Sequence, residues 1–214
     1  PVLLLATALR IPNIGRSYWI DELYSVTTRG SFNFYGLITT SADPHPPLYY
    51  FVLKIWMLLF GKSEIAVRSL SVIFGLGTII AAYLVATELY DRQTGLVTGL
   101  IISVSTFQIQ YAQTARMYTM LTFFGSLSMY FYIKSLKKHD ISNRFGYGIS
   151  TVLMLLTHVY GSFVLLGQLL HLILWLGADV EFQEVKRWIG TQTIAGVMFI
   201  PWVGLVALPH YLFG

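Results

Sequence analysis

Apolar stretches approaching the length of a membrane span alternate with short polar segments along almost the whole chain. A spanning helix needs roughly 20 mostly apolar residues. On that measure the pattern predicts spans over 66–89, 95–109, 119–136, 145–157, 161–176 and 188–206, with residues 1–11 as the outer end of another. Leu48–Phe60 differs: it is apolar but short, is interrupted by Lys54 and is closed by Gly61-Lys62. That length suits an interfacial or re-entrant helix better than a crossing. Residues 12–45 are polar and aromatic, punctuated by Pro12, Gly15, Gly30 and Gly36, so they read as a loop carrying short helices. The expected architecture is all-α: a polytopic helical bundle of about seven transmembrane segments, with a juxtamembrane helix inside a first outer loop spanning 12–65. The chain (1–214) reads as the N-terminal membrane module of a longer protein.

Composition strengthens the membrane reading. Residues are 55% hydrophobic and 11% charged, and mean hydropathy is +0.64, far from a soluble domain. Cysteine is absent, which excludes disulfides, thiolate zinc sites and a cysteine nucleophile. The net charge of +4 matters less than its placement. If 48–60 does not cross, the loops at 90–94, 134–144 and 179–187 share one face and collect Arg92, Lys134, Lys137, Lys138, Arg144, Lys186 and Arg187. Basic residues mark the cytoplasmic side. The loops at 12–65, 110–118 and 158–160 then lie on the extracytoplasmic side, and Gly95-x-x-x-Gly99 allows close helix packing.

The outer face collects most of the candidate chemistry: Asp21, Glu22, Asp43, His45, Gln113, Arg116, Tyr118 and His158. Charge at membrane depth is costly, so such a cluster is a functional hypothesis by default. A carboxylate there can act as a general base, and an arginine fork matches phosphate oxygens. Simpler readings stand beside these. Asp21-Glu22 can begin a helix, because acids suit a helix N-terminus. His45-Pro46-Pro47 can open the interfacial helix, and Arg116 can snorkel. Glu64 and Arg68, four apart, read as an ordinary helical ion pair. His158 reads first as a packing residue, and His171 as a hydrogen-bonded contact between helices.

The order of motifs resembles the superfamily of polyprenyl-phosphate-sugar-dependent membrane glycosyltransferases with the GT-C fold. That superfamily includes protein O-mannosyltransferases, the lipid A aminoarabinose transferase and lipid A core galacturonosyltransferases. The matching elements are Tyr18-Trp19-Ile20-Asp21-Glu22, Asp43-Pro44-His45-Pro46-Pro47-Leu48-Tyr49-Tyr50, Arg68-Ser69-Leu70-Ser71, Tyr111-Ala112-Gln113-Thr114-Ala115-Arg116-Met117-Tyr118 and Thr157-His158-Val159-Tyr160.

The resemblance implies that Asp21 is the catalytic base, with Glu22 beside it shaping the site, and that His45 and Arg116 lie near the donor phosphate. Asp43, Gln113, Tyr118 and His158 are further candidates to line the site. The donor would be a sugar on dolichyl or polyprenyl phosphate, transferred with inversion to a protein, lipid or glycan acceptor on the extracytoplasmic side. Family members differ on metal use; Asp43 and His45 are weak candidates for a divalent ion, and no further cofactor is implied. The aminoarabinose transferases carry an acid a few residues beyond the second-loop Arg, where this chain reads Tyr118-Thr119-Met120. That acidic role is therefore not carried over. The expected partners are the lipid-linked sugar, its acceptor and membrane lipids, with no nucleic acid. A lipid-linked-substrate transporter and a non-catalytic membrane subunit are the alternatives.

Overall fold

Every regular element is helical in the computed structural model, which describes residues 1–39, 45–137, 140–175 and 182–204. Helix α1 (Val2–Arg10) leads into the first loop, which carries α2 (Ile20–Leu23), a π-helical stretch (Tyr24–Arg29) and α3 (Phe34–Thr39). There follow α4 (Leu48–Phe60), α5 (Glu64–Leu89), α6 (Arg92–Val104), α7 (Thr106–Ala112), α8 (Tyr118–Lys137), α9 (Ile141–Thr157), α10 (Gly161–Trp175) and α11 (Phe182–Trp202). Helix α8 packs between α5 and α9; α6 lies on α5, and α11 on α9. Caps set several starts. The Ser63 hydroxyl accepts from Ala66 N–H at 3.3 Å, Asp91 from Thr94 at 2.7 Å and Asp140 from Ser142 at 3.1 Å. The Asp140 cap lets α9 begin at Ile141, ahead of the apolar run expected to start at residue 145.

The region over 95–109 is not one straight crossing. It breaks at Ser105 with a bend of 62° between α6 and α7. A break in a helix orphans carbonyl groups, which need donors from elsewhere when they are buried. Buried Arg10 supplies donors: its Nη1 reaches the carbonyls of Ala6 (3.1 Å) and Ser103 (3.0 Å), and its Nη2 that of Ile102 (3.3 Å).

Among the described residues α5 alone is long and apolar enough to cross a membrane by itself, and α6 with α7 makes a second candidate if the bent pair is one span. Helices α4 and α10 are apolar but shorter. The expected seven crossings therefore do not stand out by length and apolarity. Part of the reason is a polar network inside α8–α11. Tyr147 Oη donates to Gln168 Oε1 at 2.6 Å, Gln168 Nε2 to Ser128 Oγ at 3.2 Å, and Ser128 meets Thr151 at 2.9 Å. The Tyr132 hydroxyl lies 2.8 Å from His171 Nδ1, the interhelical contact expected of that histidine. Such residues lower a helix's hydropathy while their polar groups are satisfied between helices.

Helix α4 lies over the first loop. Tyr49, Tyr50, Leu53 and Met57 join a core with Val26, Leu37, Val67, Leu70, Ala115, Met117 and Met120. Ile55, Leu58, Leu59 and Phe60 face outward and exposed. Lys54, which interrupts its apolar run, turns back to the carbonyls of Gly30 (3.2 Å) and Phe32 (2.7 Å).

Gly95 and Gly99 are both buried where α6 meets α5, but only Gly95 is needed for the close approach, since a Cβ on Gly99 would stand 3.7 Å from its nearest neighbour. A Cβ on Gly95 would stand 2.1 Å from Thr87 Oγ1 and 3.0 Å from the Tyr83 carbonyl oxygen, whereas one on Gly190 meets nothing within 4 Å. Overpacking of this kind costs about 1–3 kcal/mol. Gly95→Ala is expected to lower the melting temperature of detergent-purified protein by several degrees, and Gly190→Ala to leave it unchanged or raise it. Equal melting of the two variants would show that the helices do not meet as described.

Candidate active site

The two acids of the first loop separate at once: Asp21 is exposed and Glu22 fully buried. In the short helix α2 they face opposite ways, and the buried one is saturated. Glu22 Oε1 accepts from Arg68 Nε (2.9 Å) and Ala115 N (2.7 Å), and Oε2 from Arg68 Nη2 (2.8 Å) and Trp19 N (2.9 Å). Arg68, also buried, uses its remaining N–H groups on the first loop. Nη1 donates to the carbonyls of Ile14 (2.7 Å) and Arg16, and Nη2 to that of Ser17 (3.1 Å). A carboxylate offers about four acceptor positions and a guanidinium five donors; here all are occupied. Glu22 therefore cannot accept a proton without breaking this junction. Its place is structural, joining the first loop, the start of α5 and the 113–117 turn. Arg68 meets Glu22 across 46 residues and not Glu64 one turn away, which corrects the local-pair expectation. The Tyr18 ring covers the guanidinium at 5.3 Å. Its hydroxyl, donating to the Lys62 carbonyl at 3.0 Å, is pushed up to about 12 by burial and by Glu64, so it stays protonated.

The same junction places Arg116 beside Asp21. Ala115 and Met117 are fully buried, which turns the intervening Arg116 toward the first loop. Its Nη1 donates to Ser25 Oγ (3.2 Å) and to the Asp21 carbonyl oxygen (3.4 Å), and Ser25 Oγ itself donates to that oxygen at 2.9 Å. Ser25 lies in the π-helical stretch, a geometry frequent at functional sites. Arg116 thus contacts the backbone of residue 21, while the Asp21 carboxylate has no hydrogen bond or ion pair to another described residue.

His45 and His158 come together, with ring centroids 5.1 Å apart at an interplanar angle of 63°. His158 ends α9, is buried, and accepts through Nδ1 from Tyr160 N–H at 3.1 Å. An accepting Nδ1 gives the neutral ring its proton on Nε2. The Tyr118 ring lies 6.1 Å from His158 and 4.8 Å from Tyr111. Gln113 is turned elsewhere: its Nε2 donates to the carbonyls of Pro12 (2.7 Å), Leu9 and Arg10 (both 3.4 Å), closing the end of α1. Asp43 lies outside the described residues. Among the described residues no three His, Asp or Glu side chains gather as a metal would need.

Sequence reasoning missed Ser25, the role of Arg68 and the whole of Arg10. The last two had one shared sign: each is an arginine inside or at the edge of an apolar segment, where charge must find partners.

Burial alone would raise the Glu22 carboxyl, but the Arg68 guanidinium and the Ala115 and Trp19 amides outweigh it and hold it below the usual carboxylate value. A carboxyl depressed by folding adds stability above its unfolded pKa, and that stability is lost as pH falls through the lower folded value. The melting temperature should therefore drop on acidification below about pH 5. Glu22→Gln should be destabilised at neutral pH, by about 3–5 kcal/mol for a broken buried pair, and should show a flatter acid limb. An unchanged acid limb in this variant would assign the pH dependence elsewhere.

The chain is similar to several known proteins. Residues 44–204 match the family profile described as dolichyl-phosphate-mannose-protein mannosyltransferase. An uncharacterised protein of Aquifex aeolicus is 27% identical over 191 residues; the match takes in 87% of this chain but 37% of that relative's length. Among solved structures, ArnT from Cupriavidus metallidurans in the apo state aligns with a TM-score of 0.76 at 16% identity, covering all of this chain and 43% of its own. The archaeal oligosaccharyltransferase AglB from Archaeoglobus fulgidus, solved with an inhibitory peptide and a dolichol-phosphate, aligns at 0.74 and 15% identity, covering 99% and 32%. The chain thus spans less than half the length of each of these proteins. With a GT-C fold and a family match over most of its length, it belongs to the dolichyl-phosphate-mannose-protein mannosyltransferase family.

Proposed function

We propose that this chain is the catalytic membrane module of a glycosyltransferase that moves a sugar from a polyprenyl or dolichyl phosphate to an extracytoplasmic acceptor, with inversion. The observation that carries the reading is the division of labour at residues 21 and 22. The Glu22 carboxylate is locked in place, and the adjacent Asp21 carboxylate is left exposed at the same end of the bundle as Arg116. Family membership gives that geometry its chemical direction. Seven crossings, with α4 in the outer interface, keep residues 12–65, 113–118 and 158–160 on that one side.

In such a transfer the anomeric carbon gains positive character while negative charge builds on the departing phosphate. Asp21 takes the proton from the acceptor hydroxyl or amide as the new bond forms on the face opposite the leaving group. Arg116 supplies fixed positive charge to the phosphate, and His45 and His158 supply ring N–H donors. Preorganised donors in a water-poor site stabilise developing charge without reorganising during reaction. Tyr118 packs beside this group and shapes it.

Because the Asp21 carboxylate has no partner among the described residues, Asp21→Asn is expected to keep the wild-type melting temperature and membrane insertion. Transfer by the full-length protein should fall by about 10²–10⁴-fold, the usual contribution of a general base. The measurement is product mass analysis after incubation with polyprenyl-phosphate sugars and an acceptor; near-full activity would remove Asp21 from the role.

A further inference from the structure

A groove between α9 and α11 lies away from the candidate active site. It encloses about 590 Å³ and is lined by Phe145, Ile149, Val152, Leu153, Ile194 and Met198. Gly148 and Gly190 also line it: a Cβ on Gly148 would meet only Thr191 Cγ2 at 3.7 Å, and one on Gly190 nothing within 4 Å. One charged residue lines it, Arg144, near the start of α9. Arg144 is 14 residues before His158, which along a helix is about 21 Å. It therefore sits toward the end of the bundle opposite Asp21, where α8 ends in Lys134 and Lys137.

Arg144 is poorly served by its surroundings. Its Nε is buried and has no hydrogen-bond partner, and its guanidinium makes no ion pair among the described residues. Asp140, one turn earlier, is engaged in capping α9. A buried N–H without an acceptor is costly, and the side chain as a whole is half-buried. Trp188 flanks Arg144 in a smaller adjoining pocket, an aromatic group of the kind found at the level of lipid headgroups.

We propose that this groove binds an anionic phospholipid of the adjoining leaflet, its phosphate on Arg144 and an acyl chain along α9 and α11. Charge selects the headgroup: the lining is one arginine above an otherwise uncharged wall, as in basic pockets between membrane helices. Length selects a lipid of one leaflet. From Arg144 to Leu153 the helix rises about 14 Å, close to half of a hydrocarbon core of about 30 Å. A polyprenyl-phosphate donor would place its phosphate at the Asp21 end instead. The proposal rests on the membrane reading and is independent of the base role of Asp21.

The test is native mass spectrometry of the full-length protein titrated with phosphatidylglycerol or phosphatidylcholine. Wild type should retain phosphatidylglycerol preferentially. Arg144→Gln should weaken that retention about tenfold or more, as expected for loss of a charged hydrogen bond. Gly190→Leu, which fills the groove, should weaken retention of the same lipid, while Arg92→Gln on the exposed start of α6 should not. Equal retention of both lipids, or phosphatidylglycerol retention unchanged in both groove variants, would overturn the proposal; the latter is the result if the rest of the polypeptide covers the groove. The Gly190→Leu arm keeps the test decisive if Arg144→Gln fails to fold.

Discussion

The buried pair between Glu22 and Arg68 is the junction on which the active end depends. Each partner would be expensive to bury alone, and a buried ion pair is tolerated only when its remaining donors and acceptors are met. Here they are met by backbone from distant parts of the chain: Ile14, Arg16, Ser17 and Trp19 on one side, Ala115 on the other. The pair therefore does more than hold two side chains together. It fixes the path of the first loop and the height of the 113–117 turn against the start of α5.

Position follows from that junction. With Glu22 drawn inward, α2 must present Asp21 outward. With Ala115 held by its amide and Met117 packed in the core, Arg116 has one direction in which to extend. The same core carries Tyr49 and Tyr50 on α4, just past His45-Pro46-Pro47, and so links the histidine end of the site to the loop that carries Asp21. Exposed chemistry at the surface is thus aligned by groups that take no part in it.

Much of this arrangement was legible in the residues. Asp21, Arg116, His45 and His158 fall on one side once Leu48–Phe60 is kept out of the membrane, and the fold brings them to one end. What could not be read was which acid Arg68 would choose. Glu64 is nearer in sequence, but only Glu22 arrives with a free bidentate face and two backbone amides. Gln113 read as a site residue because a polar side chain in an outer loop has no visible alternative; the alternative, the open end of α1, is more than a hundred residues away. The bend at Ser105 was equally hidden, since Ile102-Ser103-Val104-Ser105 contains no proline or glycine to announce it.

That bend has a consequence for biogenesis. Arg10 is synthesised more than ninety residues ahead of the carbonyls of Ile102 and Ser103 that it serves. A buried guanidinium without its acceptors is costly. Until α6 and α7 are in place, the Arg10 guanidinium lacks the two carbonyls it meets in the folded chain. The arrival of the broken helix completes the solvation of α1, so the two segments enter the finished bundle as a mutually dependent pair.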